Sequence, residues 1–408
     1  MRTVFLYLAS FAFLLAFVSP SSFGGSHGGK YLLFVGTYTQ ENGKDSGSKG
    51  IYSFDFDGSS GKVTPLGVAA ETINPSFLAV APGRKFLYAV NETHDYKGAA
   101  SGGVTAFRID PKAGKLTQLN EVASRGSDPC YISFDRSGKY ALVANYTGGN
   151  VAVFPISTDG RVGEASSVVK DAGALGPNKE RQDTPHAHWI EVSARNRFAY
   201  VADLGLDRVL IYKFDATKGV LTPGEPAKAA SGGGVSDTKN AFSATLAPGT
   251  GPRHIAFSKS GDFMYVLGEV DSTVTVFANE GKETFRSVQK ISALPAGFSG
   301  KNDAAEIAIH PSGKFLYTSN RGDDSIAVFT IDPASGKLTF TQRVPSGGKT
   351  PRNFALDPPG THLLAANEES GNIVEFSIDQ SSGKLTSIGE IAKVPAPCLL
   401  YTSDAADE

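Results

Sequence analysis

Short stretches of alternating apolar and polar residues follow one another along the chain, separated by turns that contain glycine. Residues 74–117 hold four such stretches. Counted from Pro75, the same frame returns at Pro129, Pro185, Pro252, Ala304 and Pro351, in steps of 54, 56, 67, 52 and 47 residues. Such alternation predicts β-strands, and four strands repeated every fifty residues or so predict a β-propeller. The longest step contains a Gly-, Ser- and Thr-rich insertion, residues 231–249, which predicts a loop.

The number of repeats sets the architecture. Six units are complete or nearly so, and a seventh begins at its second strand with Tyr31–Tyr38. Its missing first strand has to come from the C-terminal end, where Val394–Pro397 matches the start of a first strand. We therefore predict an all-β fold, a seven-bladed β-propeller of four-stranded blades over residues 30–397. Pairing of the N- and C-terminal segments is expected to close the ring.

The C-terminal residues 398–408 do not look native. Their sequence, from Cys398 to Glu408, resembles the translated readthrough of a transposase sequencing adaptor. We expect these residues to be an artefact that replaces the native closing strand after Pro397. Leu399, Leu400 and Tyr401 can still pair as a strand, but we expect a weaker closure.

The N-terminal residues have the pattern of an export signal. Arg2 is followed by the apolar run Val4–Val18 and by small residues, so we predict a signal peptide over residues 1–22 and a flexible spacer over 23–29. A retained membrane anchor is the alternative. We expect export to the periplasm or the extracellular space, with no membrane contact after cleavage. The only cysteines, Cys130 and Cys398, exclude a disulfide framework.

The composition and the motifs limit the classes of partner that the protein can bind. The net charge of −2 provides no basic surface for nucleic acid. The chain carries no Gly-x-Ser-x-Gly elbow, phosphate loop or dinucleotide fingerprint, so these enzyme signatures give no indication of the activity. We expect a monomer that binds a small molecule.

Polar residues at equivalent strand positions should converge at the centre of the ring, because first strands line the channel of a propeller. The residue after each register mark is Ser76, Cys130, His186, Arg253, Ala305 or Arg352, and the next position includes His254. Second strands end near Asn145, Glu269, Asn320, Arg321 and Asn367. Such a set can support acid–base catalysis and stabilise an anion. Turn-capping asparagines and structural ion pairs are the alternative interpretation.

His186 and His188 are the most distinctive members of this set. A spacing of two puts both rings on one face of a strand. They are candidates for acid–base chemistry, and hydrogen bonding between blades is the alternative. No third ligand lies at a suitable spacing, so we predict no metal site.

Several motifs together resemble one family. They are Phe34-Val-Gly-Thr-Tyr38, Ala144-Asn-Tyr146, Thr184-Pro-His-Ala-His188, Val201-Ala-Asp203, Gly251-Pro-Arg-His254, Ser319-Asn-Arg321 and Thr350-Pro-Arg-Asn353. From about Tyr31 to Pro397 the chain resembles the propeller lactonases that include bacterial 6-phosphogluconolactonase and fungal carboxy-muconate lactonising enzyme. That resemblance implies forming or opening of lactone rings without a metal or organic cofactor.

The resemblance also assigns roles. It implies catalytic roles for His186, His188, Arg253, Glu269 and Arg321, and we expect His254, Asn145, Asn320, Arg352 and Asn367 to contact the substrate. An exported protein is a poor match for a phosphorylated substrate, so we expect hydrolysis of another sugar lactone or a related cyclic ester. The alternative is a non-catalytic propeller that binds a small ligand or a protein partner.

Overall fold

The computed structural model describes residues 29–41, 43–223, 243–281 and 283–404. Regular secondary structure in these residues consists of β-strands, numbered β1 to β33 in chain order, which confirms the predicted all-β class. The signal peptide, nearly all of the spacer and part of the predicted insertion loop lie outside the described residues. No helix in the described ranges is long and apolar enough to cross a membrane.

Seven antiparallel sheets follow one another along the chain. Blade 1 contains β33 (Pro397–Asp404), β1 (Lys30–Thr37), β4 (Gly50–Asp57) and β5 (Lys62–Glu71); blade 2 contains β6 (Phe77–Val80), β7 (Phe86–Asn91), β10 (Gly103–Asp110) and β11 (Lys115–Ala123). Blade 3 contains β12 (Pro129–Phe134), β13 (Tyr140–Asn145), β14 (Asn150–Pro155) and β15 (Ser167–Lys170). Blade 4 contains β16 (Ala187–Val192), β17 (Phe198–Asp203), β18 (Arg208–Asp215) and β19 (Val220–Pro223), with β20 (Ser243–Thr245) also paired to β18.

The remaining blades repeat the same order. Blade 5 contains β21 (Pro252–Phe257), β22 (Phe263–Gly268), β23 (Thr273–Asn279) and β24 (Phe285–Ser292). Blade 6 contains β25 (Asp303–Ile309), β26 (Phe315–Arg321), β27 (Ser325–Ile331) and β28 (Leu338–Pro345). Blade 7 contains β29 (Pro351–Leu356), β30 (His362–Asn367), β31 (Asn372–Ile378) and β32 (Leu385–Lys393). Two short hairpins pair β2 (Gln40–Glu41) with β3 (Lys44–Asp45) and β8 (Asp95–Tyr96) with β9 (Ala99–Ala100).

The first strands form a closed ring. Each contacts the first strand of the next blade, in the cycle β33, β6, β12, β16, β21, β25, β29 and back to β33. Inner strands are buried on both faces because blades pack on either side of them. This arrangement confirms the predicted seven-bladed propeller and its closure by both ends of the chain.

Repeated polar bonds hold neighbouring blades together. The hydroxyls of Tyr88, Tyr265 and Tyr317 each donate to a glycine carbonyl in the outer hairpin of the next blade. Nearer the rim, the amides of Gln289 and Gln342 bond both backbone groups of a leucine in the following blade. A buried tyrosine hydroxyl or amide needs such a partner, so these bonds fix how each blade meets the next.

A register shift interrupts the pairing of first and second strands at the same place in six of the seven described blades. In blade 3, Pro129 pairs with Asn145 and Tyr131 pairs with Ala144, which leaves Cys130 without a ladder partner. The unpaired ring position is filled by Cys130, His188, Arg253, Ala305, Arg352 and Cys398. A β-bulge re-aims the side chain that it carries, so this position turns toward the channel. In blades 5 and 6 the next residue, His254 or Glu306, is also unpaired and lines the same cavity.

This register corrects one prediction. In blade 4 the ladder begins at Ala187, which pairs with Asp203, and the ring position therefore falls on His188. The assignment of His186 to the position of Arg253 and Arg352 was wrong by two residues. Pro185 belongs to the loop before β16, whereas Pro129, Pro252 and Pro351 are the first residues of their strands. The sequence alone does not distinguish the two kinds of proline.

The closing strand β33 uses residues that we expect to be foreign. Cys398 occupies the ring position, and Leu399 and Leu400 are each 4% exposed, one against blade 2 and the other against blade 7. A first strand needs apolar side chains on both faces, and this segment supplies them. We propose that residues 398–404 stand in place of the native strand. A native codon run through position 408 in long-read sequence of the gene would contradict this proposal.

Replacing Leu400 by Asp should open the ring. Its side chain is buried among apolar residues, so the change buries an unpaired charge and costs more than about 3 kcal/mol of unfolding free energy. Denaturant unfolding measures the loss. Ile388→Asp is the matched control because Ile388, on β32, is 53% exposed, and we expect a change within about 0.5 kcal/mol. Equal effects of the two changes would contradict closure by β33.

Candidate active site

One end of the channel gathers charged side chains from blades 4 to 6. Arg253 comes from the β21 bulge, Glu269 directly follows β22, and Arg321 ends β26. Arg181 reaches the same place from the loop between β15 and β16. Ring positions and second-strand ends thus meet, as the repeat pattern predicts, although the loop residue was not predicted.

Glu269 is the centre of this cluster. Its Oε2 lies 2.9 Å from Arg253 Nε, and its Oε1 lies 3.2 Å from an Arg321 terminal nitrogen. Arg181 also pairs with Oε1 and bridges to Asp303 at 2.7 Å. Glu269 is 3% exposed, so the carboxylate and its three guanidiniums form one largely desolvated ionic network. With three guanidiniums around one carboxylate, the groups in direct contact carry more positive than negative charge.

The electrostatics make Glu269 a weak base. Burial alone would raise its pKa, but the positive charges of Arg321 and Arg253 outweigh burial and hold the pKa of Glu269 well below its usual range. Burial, followed by repulsion from Arg321, lowers the pKa of Arg253 to about 10. Glu269 therefore stays ionised at neutral pH and serves to anchor the guanidiniums.

His188 lies beside this network. Its Nε2 is 3.9 Å from Glu269 Oε2 and its Nδ1 is 3.8 Å from Cys130 Sγ. Burial, reinforced by the positive charge of Arg253, lowers the pKa of His188 well below its usual value. The ring is therefore neutral at pH 7 and can accept a proton.

His254 is bound to a second carboxylate. Its Nδ1 lies 3.0 Å from Glu306 Oε1, and its ring packs against those of His188 and Tyr131. Burial lowers the pKa of His254. Burial favours a higher pKa for Glu306, but His254 and Arg253 outweigh it and lower that pKa. His254 thus lies at the channel lined by the first strands, and its imidazole contacts that of His188.

His186 is placed differently from His188. Its ring stacks on Tyr146 with centroids 4.4 Å apart. Nδ1 is 3.1 Å from the Tyr146 carbonyl oxygen and Nε2 is 2.9 Å from Asp183 Oδ1. Both neighbours are hydrogen-bond acceptors, so both ring nitrogens of His186 are engaged within the protein. His186 also donates its backbone N–H to Asp203.

A second arginine–glutamate pair repeats the first. Arg352 and Glu368 are separated by the same sixteen residues as Arg253 and Glu269. Arg352 lies 3.6 Å from Glu368 and donates to the Tyr38 hydroxyl at 2.7 Å. Burial raises the pKa of the neighbouring Glu92, with Arg352 opposing it. The channel therefore holds two charged clusters with different protonation behaviour.

The space between the clusters is small. A cavity of about 10 Å³ is bordered by His188, Arg253, Arg352, Glu92 and other ring residues. That volume is close to the minimum needed for one water molecule. A sugar-sized ligand has to bind above the ring, at the mouth, where Arg181 and Arg321 are partly exposed.

The asparagines have another role. Asn145, Asn320 and Asn367 are fully buried, and each Nδ2 donates to a backbone carbonyl in the segment that leads in from the preceding blade. These bonds match the alternative of structural capping. We therefore do not retain a substrate-binding role for the three amides; Arg352 and His254 remain in the ring.

Tyr146 and Glu368 belong to the series at second-strand ends, although the sequence gave them no role. They follow the ring residue by the same sixteen positions as Glu269. Arg181 gave no such signal, because it lies in an irregular loop. Among the described residues, no group of three or more His, Cys, Asp or Glu side chains is arranged to hold a metal ion.

Comparison with known proteins agrees with the propeller fold. The family model described as "Lactonase, 7-bladed beta-propeller" matches residues 32–401. The chain belongs to the seven-bladed β-propeller lactonase family. This finding confirms the family resemblance drawn from the sequence motifs.

Individual members of the lactonase family are similar over most of their length. A protein of Bacillus subtilis named 6-phosphogluconolactonase is 37% identical over 326 residues, which cover 80% of this chain and 84% of that protein. The structure of a periplasmic gluconolactonase of Pseudomonas aeruginosa superposes with a TM-score of 0.82 at 35% identity and covers 92% of this chain and 100% of that one. A putative 6-phosphogluconolactonase of Bacteroides fragilis gives a TM-score of 0.81 at 34% identity, over 95% and 100%.

Replacing Glu269 by Gln should destabilise the protein. The change leaves three guanidiniums, one of them buried, without their carboxylate and should cost about 3–5 kcal/mol. Because the pKa of Glu269 is depressed, this carboxylate stabilises the fold above the unfolded pKa of about 4.3, and the effect is lost as pH falls through the folded pKa. Denaturant unfolding followed from pH 7 down to about pH 2 measures both.

The control for this change is Glu280→Gln. Glu280 pairs with Arg286 at an exposed site, and we expect less than about 1 kcal/mol. A small effect of Glu269→Gln, equal to that of the control, would show that the network does not stabilise the fold.

Proposed function

We propose that this protein hydrolyses a sugar lactone at the mouth of the channel. The observation that carries the proposal is a neutral, buried imidazole, His188, beside guanidiniums that converge on Glu269. Hydrolysis of a cyclic ester requires a base for water and a fixed positive charge for the developing oxyanion. Both are present within one cluster, in a chain of the lactonase family.

In the proposed reaction His188 acts as the base. Water adjoining the ring cavity loses a proton to His188 Nε2 while its oxygen attacks the lactone carbonyl carbon. The imidazolium that forms is stabilised by Glu269, 3.9 Å away. Glu269 itself is unsuited to be the base, because both of its carboxylate oxygens are already paired with guanidinium groups.

Arg321 and Arg181 are the groups that would meet the carbonyl oxygen. Both are more exposed than Arg253, whose side chain is 4% exposed, so they are available to a ligand at the mouth. A guanidinium keeps its charge at every relevant pH and can donate two parallel hydrogen bonds. Arg253 would act behind them by holding Glu269 in place.

Collapse of the tetrahedral intermediate completes the reaction. The bond between the carbonyl carbon and the ring oxygen breaks, and the ring oxygen receives the proton that His188 took from water. The product is an open-chain hydroxy acid. His188 returns to its neutral form, so no net proton change remains on the protein.

The substrate that we propose is not phosphorylated. The exposed cation at the mouth, Arg181, is already paired with Glu269 and Asp303, and Asp183 adds a further carboxylate at the rim. The predicted export signal agrees with this choice, as does the similar protein described as a periplasmic gluconolactonase. We propose that the protein acts outside the cytoplasm.

Two substitutions test the catalytic roles. We expect Arg321→Ala and His188→Gln each to lower kcat by roughly 10²- to 10³-fold, because each removes a group that acts in the transition state. Hydrolysis of glucono-δ-lactone, followed with a pH indicator after subtraction of the uncatalysed rate, measures this. Arg286→Ala, at an exposed ion pair, is the control and should leave kcat unchanged.

The pH profile tests the choice of base. Because its pKa is lowered, His188 becomes protonated only when the pH falls below about 6.5. The acidic limb of the kcat/KM profile should therefore lie below that pH. An acidic limb above pH 6.5, or full activity in His188→Gln, would assign the base elsewhere. Tight binding of a lactone without turnover would favour the alternative of a binding protein.

Substrate preference is a separate prediction. We expect kcat/KM for glucono-δ-lactone to exceed that for 6-phosphogluconolactone by about tenfold or more, since a phosphate dianion at this rim would lie near carboxylates and paired cations. Parallel assays of the two lactones decide it. A preference for the phosphorylated lactone would contradict the proposed substrate.

A further inference from the structure

Blade 4 departs from the repeat at a position directly behind His186. In blades 2, 3, 6 and 7 an asparagine at the end of the second strand, or one residue before it, donates its Nδ2 to a backbone carbonyl, as Asn145 does to Ser124. Blade 4 has Asp203 at this position. The residue equivalent to Ser124 is Asp171, since both donate their N–H to a glycine carbonyl of the preceding turn.

The two carboxyl groups of blade 4 meet in the interior. Asp171 is 2% exposed and Asp203 is 0% exposed, and the two carboxyl groups lie close enough to interact electrostatically. Tyr212 donates to Asp171 Oδ1 at 2.6 Å, and the backbone N–H groups of His186 and Leu206 donate to Asp203 Oδ1 at 3.0 Å each. The second oxygen of each carboxyl, Oδ2, is buried and has no hydrogen-bond partner among the described residues.

One proton is the simplest way to satisfy this arrangement. Two ionised carboxylates in contact and out of water repel each other, and each would leave an oxygen unsatisfied. A single proton between Asp171 Oδ2 and Asp203 Oδ2 removes one charge and satisfies both oxygens. An asparagine at position 203 would make the equivalent bond with its amide, as in the other blades.

We propose that Asp171 and Asp203 share one proton and that this acid pair positions the backbone of His186. The contacts at Oδ1 connect the pair directly to the loop that carries His186 and Asp183. Asp203 and Asp171 are positioning residues, since neither lies at the mouth.

The groups around the pair agree with a retained proton. Burial, followed by the charge of Asp203, raises the pKa of Asp171 well above its usual value. Lys170 opposes this shift, Tyr212 donates a hydrogen bond, and His186 faces Asp203. Burial also raises the pKa of Asp203.

Proton sharing predicts the direction in which the stability of the fold changes with pH. An unfolded chain releases protons from both aspartates near pH 4, whereas the folded chain keeps one. The folded state then binds more protons than the unfolded state, so this pair lowers stability as pH rises above 4. Each pH unit in that window raises the unfolding equilibrium constant by up to about tenfold.

Asp203→Asn tests this direction. The amide keeps the acceptor for His186 and Leu206 and donates to Asp171, so the bonds remain while the shared proton is removed. We expect the Tm of the variant minus that of the unchanged protein to increase as the pH is raised from 5 to 8. Asp171→Ser with Asp203→Asn copies blade 3 and should show the same trend, which keeps the test valid if the single variant fails to fold.

The matched control is Asp135→Asn. Asp135 is buried but accepts hydrogen bonds that lower its pKa, so its effect on Tm should be constant from pH 5 to pH 8. A constant difference for Asp203→Asn as well would overturn proton sharing. This measurement does not need activity, so it stands even if the proposed lactonase function fails.

Positioning is tested by the pH dependence of kcat, and this part rests on the proposed function. Loss of the shared proton puts two like charges beside the His186 loop, so kcat of the unchanged protein should fall on the alkaline side. The fall should be smaller in Asp203→Asn. Identical alkaline profiles in both proteins would overturn the positioning role and leave the thermal test unaffected.

Discussion

Convergence of seven first strands on one narrow channel is the constraint on which the rest of this structure depends. The bulges turn side chains toward the centre, so polar residues far apart in sequence are buried together. Burying a charge is costly unless an opposite charge accompanies it. The ring meets this requirement in two clusters, one around Glu269 and one around Arg352. Closure of the ring by β33 keeps these clusters compact.

The same constraint separates the roles of residues that look alike in the sequence. Glu269 and His188 both have the chemistry of a base, but three guanidiniums suppress the basicity of Glu269 while burial keeps His188 neutral. His186, only two residues away, stacks on Tyr146 and faces two acceptors. Distance along the chain therefore says little about protonation, which the surrounding charges and burial determine.

Much of the fold could be predicted from the sequence, because strand alternation and glycine turns are local signals that repeat. Blade number and closure followed from them and were confirmed. The predicted register of blade 4 was wrong. Pro185 resembles the proline that begins the ladder in other blades, but the ladder of blade 4 begins at Ala187. Arg181 could not be found, since a loop has no period that places it. The bonds of Asn145 were equally beyond the sequence, as they depend on a backbone carbonyl from the preceding blade.

Three blades lack the capping asparagine, and two of them supply the proposed chemistry; the third is blade 1, which has Thr37 at this position. Blade 4 replaces the capping asparagine with Asp203, and blade 5 replaces it with Gly268, where a Cβ would come within 2.5 Å of Thr250. These two blades supply His188, Arg253 and Glu269. By contrast, Cys398 of the closing blade adjoins the Arg352 cluster. A foreign closing strand would therefore perturb the stability of the ring and the Arg352 side of the channel more than the groups around Glu269.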